Sequence, residues 1–354
     1  MRALVMLLVL CCAVAAQAAV LDVPADYATF ADAVAAGAAG DTVRVAAGTY
    51  SDSSVPLFYG GLVFIADGEV VMNGATGSEY EPVFYVSYDV EGDPPTQFQD
   101  FRFEGNSVAF NLDMDAALDF VDCSFVDNDH VLFGCAGSTV TLLRCSFEGN
   151  HSPYFGAALY PCLWRILAED CVFTGNSAGM QGGAVYLDVN PVDGPHQFER
   201  CLFVGNVSPG GAAVYVDGGD AVFRNCVFWG NSDGPTIEME ANNALSFENC
   251  IVAGNGDKAF ACPGDLDLAV SCTVVHGNAG GDWTDCAAGL LGVDGNADVS
   301  PQFCDPEGGD FQVYFGSYCL PENNPCGELI GLYGWGCGTT GTEESSWSQV
   351  KSLY

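Results

Sequence analysis

The sequence predicts an all-β fold, a right-handed parallel β-helix or solenoid of roughly ten rungs. Three observations favour this fold. A motif of the form Cys-x-Phe-x-Gly-Asn recurs along the chain, the spacing of its copies varies while the motif does not, and apolar positions within it alternate with polar ones. Alternation with a period of two is typical of strands, and a fixed motif between loops of changing length is typical of stacked rungs.

Every copy of the motif except the one at Cys123, which ends in Asp127-Asn128, ends in Gly-Asn. Gly-Asn favours a turn because glycine tolerates positive φ and the asparagine side chain can bond to the backbone. In rungs about 4.8 Å apart, the asparagine amides can also bond to one another as a ladder. The predicted asparagine ladder consists of Asn106, Asn128, Asn150, Asn176, Asn206, Asn231, Asn255 and Asn278.

The cysteine position of the motif predicts a second column that faces the core. Phe101 fills this position in an earlier rung, so we expect the thiols to be compact apolar groups. The rung spacing would also permit disulfides along the column, although parallel Cβ vectors make that geometry awkward. The predicted column is Cys123, Cys145, Cys171, Cys201, Cys226, Cys250 and Cys272, and the last copy carries one extra residue before its Asn.

A second signature follows several of the asparagines. Small residues precede a β-branched and aromatic run in Phe155–Tyr160, Gln181–Leu187 and Gly210–Val216. Small residues let the backbone turn tightly before a strand resumes. Each rung is therefore predicted to have two marked faces and a third, more variable one.

Together, the Phe-x-Gly-Asn and Gly-Gly-Ala-Val-Tyr motifs resemble the repeat of the polymorphic outer-membrane proteins of chlamydiae, over residues 98–278. In that family the repeats form a surface-exposed passenger implicated in adhesion, followed by a carboxy-terminal outer-membrane barrel. The resemblance implies a β-helix with a surface role. The chain departs from the family after Asn278, where we expect too few residues for the roughly eight strands of even a small barrel.

The two ends of the chain predict its organisation. We expect a signal peptide over residues 1–18, an amino-terminal cap and first rung over 19–60, and β-helix repeats over 61–299. A carboxy-terminal cap is expected over 300–337, followed by a linker and tail over 338–354 that is either a sorting or docking element or a frayed end. An Ala-rich stretch within the first cap predicts a short capping helix.

The signal peptide predicts that the protein is secreted or extracellular, with a bacterial cell surface or outer membrane as the alternative destination. No later run approaches the ~20 apolar residues of a membrane helix, so we expect no transmembrane segment in the mature chain. We also expect a monomer. Of the 17 cysteines, Cys11 and Cys12 lie in the signal peptide, which leaves an odd number for an oxidising compartment.

Eight cysteines lie outside the column, and four of them are close to the carboxy terminus. We expect Cys304, Cys319, Cys326 and Cys337 to form two disulfides that staple the carboxy-terminal cap. A zinc site is less favoured, because the chain has no Cys-x-x-Cys and its four histidines do not accompany the cysteines at zinc spacing.

The composition is strongly acidic, with 46 Asp and Glu against 9 Lys and Arg and a net charge of −37. Such a chain repels nucleic acid and anionic surfaces, which excludes nucleic acid as a partner. The acidity favours solubility, with calcium binding as the alternative, and no other cofactor is predicted. The densest calcium candidates are Asp113–Asp115, Asp265–Asp267 and Asp294–Asp298, none of which has the spacing of a complete calcium loop.

No catalytic residue can be assigned from the sequence, which shows neither a Gly-x-Ser-x-Gly nucleophile elbow nor the pattern of polygalacturonase-like chains. Residues 175–179 and 230–234 match Gly-x-Ser-x-Gly, but each match contains the Gly-Asn turn of a repeat. Arg144, Arg200 and Arg224 lie just before repeat cysteines, and this indicates a solvated face or a line of charges for acidic sugars. We favour a structural, adhesive or glycan-binding role toward glycans or cell-surface components. The alternative is a polysaccharide lyase or hydrolase, which predicts carboxylates and an Arg across adjacent rungs. Specific function is expected in the irregular loops, above all the insertion between Asn176 and Cys201.

Overall fold

The computed structural model describes residues 18–74, 81–87, 94–113, 117–135, 139–188, 194–240, 243–262 and 267–338. The predicted signal peptide up to residue 17 and the tail beyond Gly338 lie outside these residues. So do two of the calcium candidates in large part, and residues 189–193 of the insertion.

One α-helix, two 3-10 turns and 32 strands make up the described chain. The helix α1 spans Phe30–Ala36, and the 3-10 turns span Asp285–Ala287 and Pro321–Asn323. The strands are β1 (Val20–Val23), β2 (Thr42–Tyr50), β3 (Val55–Leu57), β4 (Val63–Met72), β5 (Pro82–Ser87), β6 (Thr96–Glu104), β7 (Val108–Asp113), β8 (Leu118–Val121), β9 (Ser124–Val126), β10 (Leu132–Cys135), β11 (Thr139–Leu143), β12 (Ser146–Glu148), β13 (His151–Ser152), β14 (Leu159–Cys162), β15 (Arg165–Glu169), β16 (Val172–Thr174), β17 (Ser177–Ala178), β18 (Val185–Leu187), β19 (His196–Glu199), β20 (Leu202–Val204), β21 (Val214–Val216), β22 (Ala221–Arg224), β23 (Val227–Trp229), β24 (Ile237–Met239), β25 (Ala244–Glu248), β26 (Ile251–Ala253), β27 (Phe260–Ala261), β28 (Asp267–Ser271), β29 (Val274–His276), β30 (Phe303–Asp305), β31 (Asp310–Tyr314) and β32 (Trp335–Cys337).

These strands coil into a parallel β-solenoid of about 12 turns, which confirms the predicted fold class with slightly more turns than expected. The first face contains β1, β8, β11, β15, β19, β22, β25 and β28, and the second face contains β9, β12, β16, β20, β23, β26 and β29. The long strands β2, β4 and β6 run through both faces, so the two form one 18-stranded sheet. The third face is a separate sheet of nine strands, β3, β5, β7, β10, β14, β18, β21, β24 and β27.

The motif phenylalanines form a continuous stack inside the second face. Phe147 and Phe173 lie 4.8 Å apart between ring centroids, and Phe173 and Phe203 lie 4.7 Å apart, with nearly parallel rings. All three are fully buried. The ring spacing matches the rung spacing of parallel strands, so each turn adds one ring to the same apolar column.

The asparagines form a buried hydrogen-bonded ladder at the end of the second face. Asn176 is typical: its Nδ2 donates to Oδ1 of Asn206 (3.0 Å) and to the carbonyl of Phe147 (3.0 Å), and its backbone N–H donates to the same Oδ1. The ladder ends at Asp282, whose Oδ1 accepts from the backbone N (2.8 Å) and Nδ2 (2.7 Å) of Asn278. Each amide thereby satisfies the backbone of its neighbours, which the buried turn requires.

One predicted member of the cysteine column, Cys272, lies outside the column. In each earlier rung the residue just before the column has positive φ, as Asp122 and Arg144 do; in the last rung that residue is Cys272 itself, at φ 48°. The column position is therefore held by Thr273, which is fully buried and accepts a hydrogen bond from the backbone of Cys250 (3.2 Å). The apparent extra residue disappears in this register. The other six column cysteines are buried free thiols.

The disulfides differ from the pairing expected within the carboxy-terminal cap. The described bridges are Cys262–Cys286, Cys272–Cys326 and Cys304–Cys337, with Cα atoms 6.0, 6.1 and 5.9 Å apart. Cys319 is a buried free thiol rather than a bridged one, because it packs in an apolar cluster with Leu320. Cys326 instead reaches the corner residue of the last rung, which ties the cap to the solenoid.

The predicted capping helix is present at the amino-terminal end. Thr29 precedes α1 and its hydroxyl accepts the backbone N–H of Asp32 at 3.1 Å, an ordinary N-cap. Phe30, Ala33 and Val34 are buried against the first rungs. The helix therefore covers the apolar end of the solenoid, which would otherwise be open to water.

Two segments near the carboxy-terminal end pack on different parts of the solenoid. Ala287 and Leu290 pack against the main core and cover its last rung. Residues 300–337 do not cover that rung; this segment, which we call the side cap, packs on the outer surface of the second face. There Ile330 and Phe311 contact the apolar cluster that includes Ile251, and an outward-facing part of the solenoid becomes a second core.

Candidate functional site

A pocket of about 200 Å³ opens beside the third face, and we call it the aromatic pocket. One wall comes from the strands β10 and β14, whose residues alternate inward and outward. Leu132 and Leu159 point into the core, so their neighbours Phe133 and Tyr160, paired in register, point outward. The opposite wall is the corner that follows β13. The pocket is lined by His130, Phe133, Ser152, Tyr154, Phe155 and Tyr160.

The aromatic rings of the pocket continue along the solenoid as a stack. Phe155 lies 5.9 Å from Tyr160 and 4.8 Å from Tyr186 between ring centroids. Tyr186 then stacks on Tyr215 at 5.3 Å with rings only 7° from parallel. Tyr186 and Tyr215 are nearly buried, whereas Tyr154, at the mouth of the pocket, is 50% exposed. Along this stack, the accessible aromatic surface therefore lies at the pocket end.

Two polar side chains lie in the floor of the pocket. Oγ of Ser152 and Nε2 of His130 are 3.4 Å apart, and the backbone N–H of Tyr154 donates to the same Oγ at 3.3 Å. Both residues are buried by the surrounding rings. The pocket therefore combines apolar walls with a small number of fixed polar groups, which is the usual composition of a small-molecule site.

A row of acidic side chains runs beside the aromatic stack, and we call Asp188, Asp217, Glu238 and Glu240 the carboxylate row. The hydroxyls of Tyr186 and Tyr215 donate to the carboxylates one rung further on, Asp217 at 2.7 Å and Glu240 at 2.6 Å. Burial, followed by these hydrogen bonds, raises the pKa of both tyrosines. The stack is thereby fixed to the row at the two rungs of Tyr186 and Tyr215.

Two members of the carboxylate row are partly withdrawn from water. Burial raises the pKa of Asp188, and the nearby charge of Asp217 adds to the effect. Burial also raises the pKa of Glu238, although a hydrogen bond from the backbone N–H of Gly211 (3.1 Å) opposes the shift. These carboxylates give this side of the pocket a negative potential.

The three arginines singled out in the sequence lie elsewhere, at the boundary between the first and second faces. Arg144 makes a bidentate pair with Asp122, with both distances 2.7 Å. Arg200 makes a similar pair with Asp170 (2.8 and 3.0 Å), and Arg224 pairs with Glu248 (3.1 Å). Carboxylates and arginines of adjacent rungs therefore meet at this boundary, as the enzyme hypothesis requires, but the guanidinium groups are paired locally and line neither of the two cavities described here.

The described part of the insertion between Asn176 and Cys201 contributes a buried histidine. His196 begins β19, and its Nδ1 accepts the backbone N–H of Ile166 at 3.2 Å. Burial lowers the pKa of His196 to about 3, with a smaller effect from Arg165. It is therefore a neutral core residue rather than a base.

A second cavity, of about 340 Å³, lies where the side cap meets the second face, and we call it the side cleft. Trp229 forms one wall and meets Phe303 of the side cap edge to face at 5.5 Å. Its ring fits because Gly254 has no Cβ: an added Cβ there would come within 2.5 Å of the indole. His276 lies at the end of the cleft, with Nδ1 2.8 Å from Oδ1 of Asp298.

The sequence candidates contribute unequally to these cavities. The asparagine and cysteine columns lie inside the solenoid and line neither cavity. Of the calcium candidates, Asp294–Asp298 is fully described: Asn296 within it is buried and accepts the backbone N–H of Thr273 (3.1 Å), so only its end, Asp298, reaches the side cleft through His276. The aromatic pocket was missed, although Tyr160, Tyr186 and Tyr215 occupy the same position of the second signature and could have indicated an outward stack.

These observations define a β-helix repeat protein with aromatic and acidic sites on its outer surface. The sequence profile of the Chlamydia polymorphic membrane protein (Chlamydia_PMP) repeat matches residues 170–188, a segment that carries both signatures of one rung, and this confirms the predicted resemblance. Comparison with curated proteins finds no match.

Among solved structures, ORF18 of Geobacillus virus E2 is similar to this chain at 16% sequence identity, with a TM-score of 0.45. The match covers 68% of this chain and 55% of that chain, so this chain spans about half the length of ORF18. Within the described residues, no helix combines the length and apolar character needed to cross a membrane.

Proposed function

We propose that this chain is a secreted or cell-surface β-helix protein that binds glycans through the aromatic pocket. The observation that carries the proposal is the ring of four aromatic side chains, those of Phe133, Tyr154, Phe155 and Tyr160, around the polar floor formed by His130 and Ser152. Sugar rings present an apolar face that packs on aromatic rings and an edge of hydroxyls that needs polar partners. Aromatic walls with a few fixed polar groups supply both.

Charge narrows the class of glycan. The chain carries a net charge of −37, and the carboxylate row follows the aromatic stack away from the pocket. Uronates and sulfated sugars would meet like charge there, whereas neutral and amino sugars would not. We therefore propose neutral or amino sugars as ligands, with attachment to glycan-bearing surfaces as the biological role. The surface assignment is supported by the repeat resemblance, by the disulfides, and by the expected signal peptide.

Isothermal titration with neutral, amino and uronic oligosaccharides tests the proposal. We expect binding of a neutral or amino sugar, and a loss of about two- to tenfold in affinity in Tyr154→Ala, on the order of the 0.5–1.5 kcal/mol that one aromatic contact contributes. Tyr314→Ala is the matched control, because Tyr314 is 52% exposed on the side cap and lies outside the pocket. Equal binding by both variants, or a preference for uronates, would contradict the proposal.

The same mixtures distinguish binding from catalysis. If the carboxylate row acted as a hydrolase or lyase site, incubation with polysaccharides would release reducing or unsaturated ends. We expect none, and unaltered oligosaccharides should be recovered by mass spectrometry. Product release that disappears in Asp217→Asn would replace the binding role with an enzymatic one.

A further inference from the structure

Three metal-binding side chains converge at the end of the side cleft, and they come from three different segments. His276 is the last residue of β29, Asp282 follows the end of the asparagine ladder, and Asp298 lies two residues before the side cap. One imidazole nitrogen and one oxygen from each carboxylate lie within 4.8 Å of one another. The fold brings these groups together although 22 residues separate His276 from Asp298.

Asp282 is held rigidly by the ladder that it ends. Its Oδ1 accepts from the backbone N–H and the Nδ2 of Asn278, and its Oδ2 accepts from the backbone N–H of Gly277 at 3.1 Å. A carboxylate has about four lone-pair sites, so three such bonds leave capacity for one more partner. The ladder fixes this carboxylate next to His276, and little reorganisation is needed to bind a ligand there.

A simple ion pair accounts poorly for the arrangement. The side chains of His276 and Asp298 are 41% and 42% exposed, and an exposed pair of this kind contributes little to stability. It also leaves the second carboxylate beside them without a role toward the histidine. One nitrogen and two oxygen ligands, by contrast, form the open three-residue set that Zn²⁺ and related ions use when another position stays available.

The three side chains lie next to the side cleft, because His276 is one of the residues that line it. The 340 Å³ cavity is also lined by Trp229 and Phe303, so an ion held by His276 would border the space available to a ligand in the cleft. Calcium prefers sites made only of oxygen, and the imidazole therefore favours a transition-metal ion. We propose that His276, Asp282 and Asp298 bind one divalent transition-metal ion of the Zn²⁺ or Mn²⁺ class, with a coordination position open to the side cleft. This site is separate from the aromatic pocket and does not depend on the proposed glycan binding.

Metal titration of the full secreted chain tests this site. The chelator-treated protein is titrated with Zn²⁺ by calorimetry in excess Mg²⁺, which occupies the many exposed carboxylates. We expect one tight site, and at least about a tenfold loss of affinity in His276→Gln and in Asp298→Asn. His151→Gln is the matched control, because His151 is also exposed but its Nδ1 lies 3.0 Å from a serine hydroxyl, that of Ser177. It should bind like the unaltered protein.

Co²⁺ provides a second readout that does not depend on calorimetry. A site of one imidazole and two carboxylates should give weak visible bands without the intense near-ultraviolet band of a thiolate ligand, which separates it from the buried cysteine column. Circular dichroism confirms that each variant is folded. Zn²⁺ binding that is unchanged in the folded His276→Gln and Asp298→Asn variants, or a thiolate band in the Co²⁺ spectrum, would overturn the proposal.

Discussion

The second and third faces have the same rung spacing but differ in how their residues repeat from rung to rung. Inside the second face, Phe147, Phe173 and Phe203 repeat the same ring in register, and their centroids lie 4.7–4.8 Å apart. Outside the third face, the register position of Tyr215 becomes Glu238 in the next rung. A column of identical residues repeats the same contact in every rung, whereas a column whose residues differ from rung to rung produces local sites. Repetition here provides stability, and departures from repetition provide the candidate sites.

The largest effect should come from breaking the repeated column. Phe173→Ala removes a fully buried ring that contacts Phe147 and Phe203 on both sides. We expect a loss of about 3–5 kcal/mol in the free energy of unfolding, because the stacked rungs cannot close the cavity. Urea unfolding followed by circular dichroism measures this loss. Phe315→Ala, at a residue that is 61% exposed on the side cap, should cost far less, and equal losses would refute the contrast between the two positions.

The next effect concerns the asparagine ladder. Asn176→Ala removes the acceptor for two donors of Asn150, its backbone N–H and its Nδ2, and leaves the carbonyl of Phe147 without its side-chain donor. Buried groups left without partners cost about 1–3 kcal/mol each, and partial relaxation should bring the total near 3 kcal/mol. Asn73→Ala, at an exposed asparagine outside the ladder, is the control in the same urea experiment. A loss below 1 kcal/mol for Asn176→Ala would mean that water replaces the ladder.

A third test sharpens the comparison where the core itself departs from repetition. His196 lies in register with Ala221 and faces inward among aliphatic residues. Its pKa in the folded protein, about 3, is below its ordinary value of 6.5. Its contribution is therefore fully present above about pH 6.5 and is lost as the pH falls toward the folded value, by about 1.4 kcal/mol per pH unit.

Urea unfolding at a series of pH values measures that slope. His196→Asn keeps an acceptor for the backbone N–H of Ile166 and should flatten the acid-side slope, whatever it does to absolute stability. His151→Asn, at an exposed histidine, is the matched control for removing one imidazole. An unaltered slope in His196→Asn would show that other groups govern the acid sensitivity of the protein.

The sequence predicts the repeated parts of this molecule well and the unrepeated parts poorly, for a physical reason. A column such as the motif phenylalanines can be predicted because the same residue recurs in every repeat, and the geometry of the column follows from the rung spacing. The recurrence does not predict that Cys272 lies at the corner, because the corner residue and the column residue are adjacent in sequence. Only the positive φ of the corner residue distinguishes the two positions. The pairing of Cys272 with Cys326 depends on where the side cap folds, which no local pattern encodes.

The two cavities cannot be predicted from the sequence for the same reason, because each is lined by segments that no local pattern brings together. The side cleft needs Trp229 and Phe303, which come from a strand of the second face and from the side cap. The aromatic pocket needs a strand of one turn and the corner of the next. The sequence indicates only the tyrosines of the second signature, and their outward direction depends on the register of β14, β18 and β21.

The smallest expected effect tests the cost of the carboxylate row. The pKa of Glu238 is raised above 4.5 by burial, so folding disfavours its charged form. That penalty is fully present at neutral pH, shrinks as the pH falls through the raised pKa, and is absent below 4.5. Glu238→Gln should therefore stabilise the protein at neutral pH, by less than about 1 kcal/mol because solvent screens a half-exposed group. The advantage should disappear by about pH 4 in the same urea titration. Destabilisation at neutral pH would mean instead that the charge on the acceptor of the Gly211 N–H outweighs the penalty, and that the row stabilises the fold it was expected to strain.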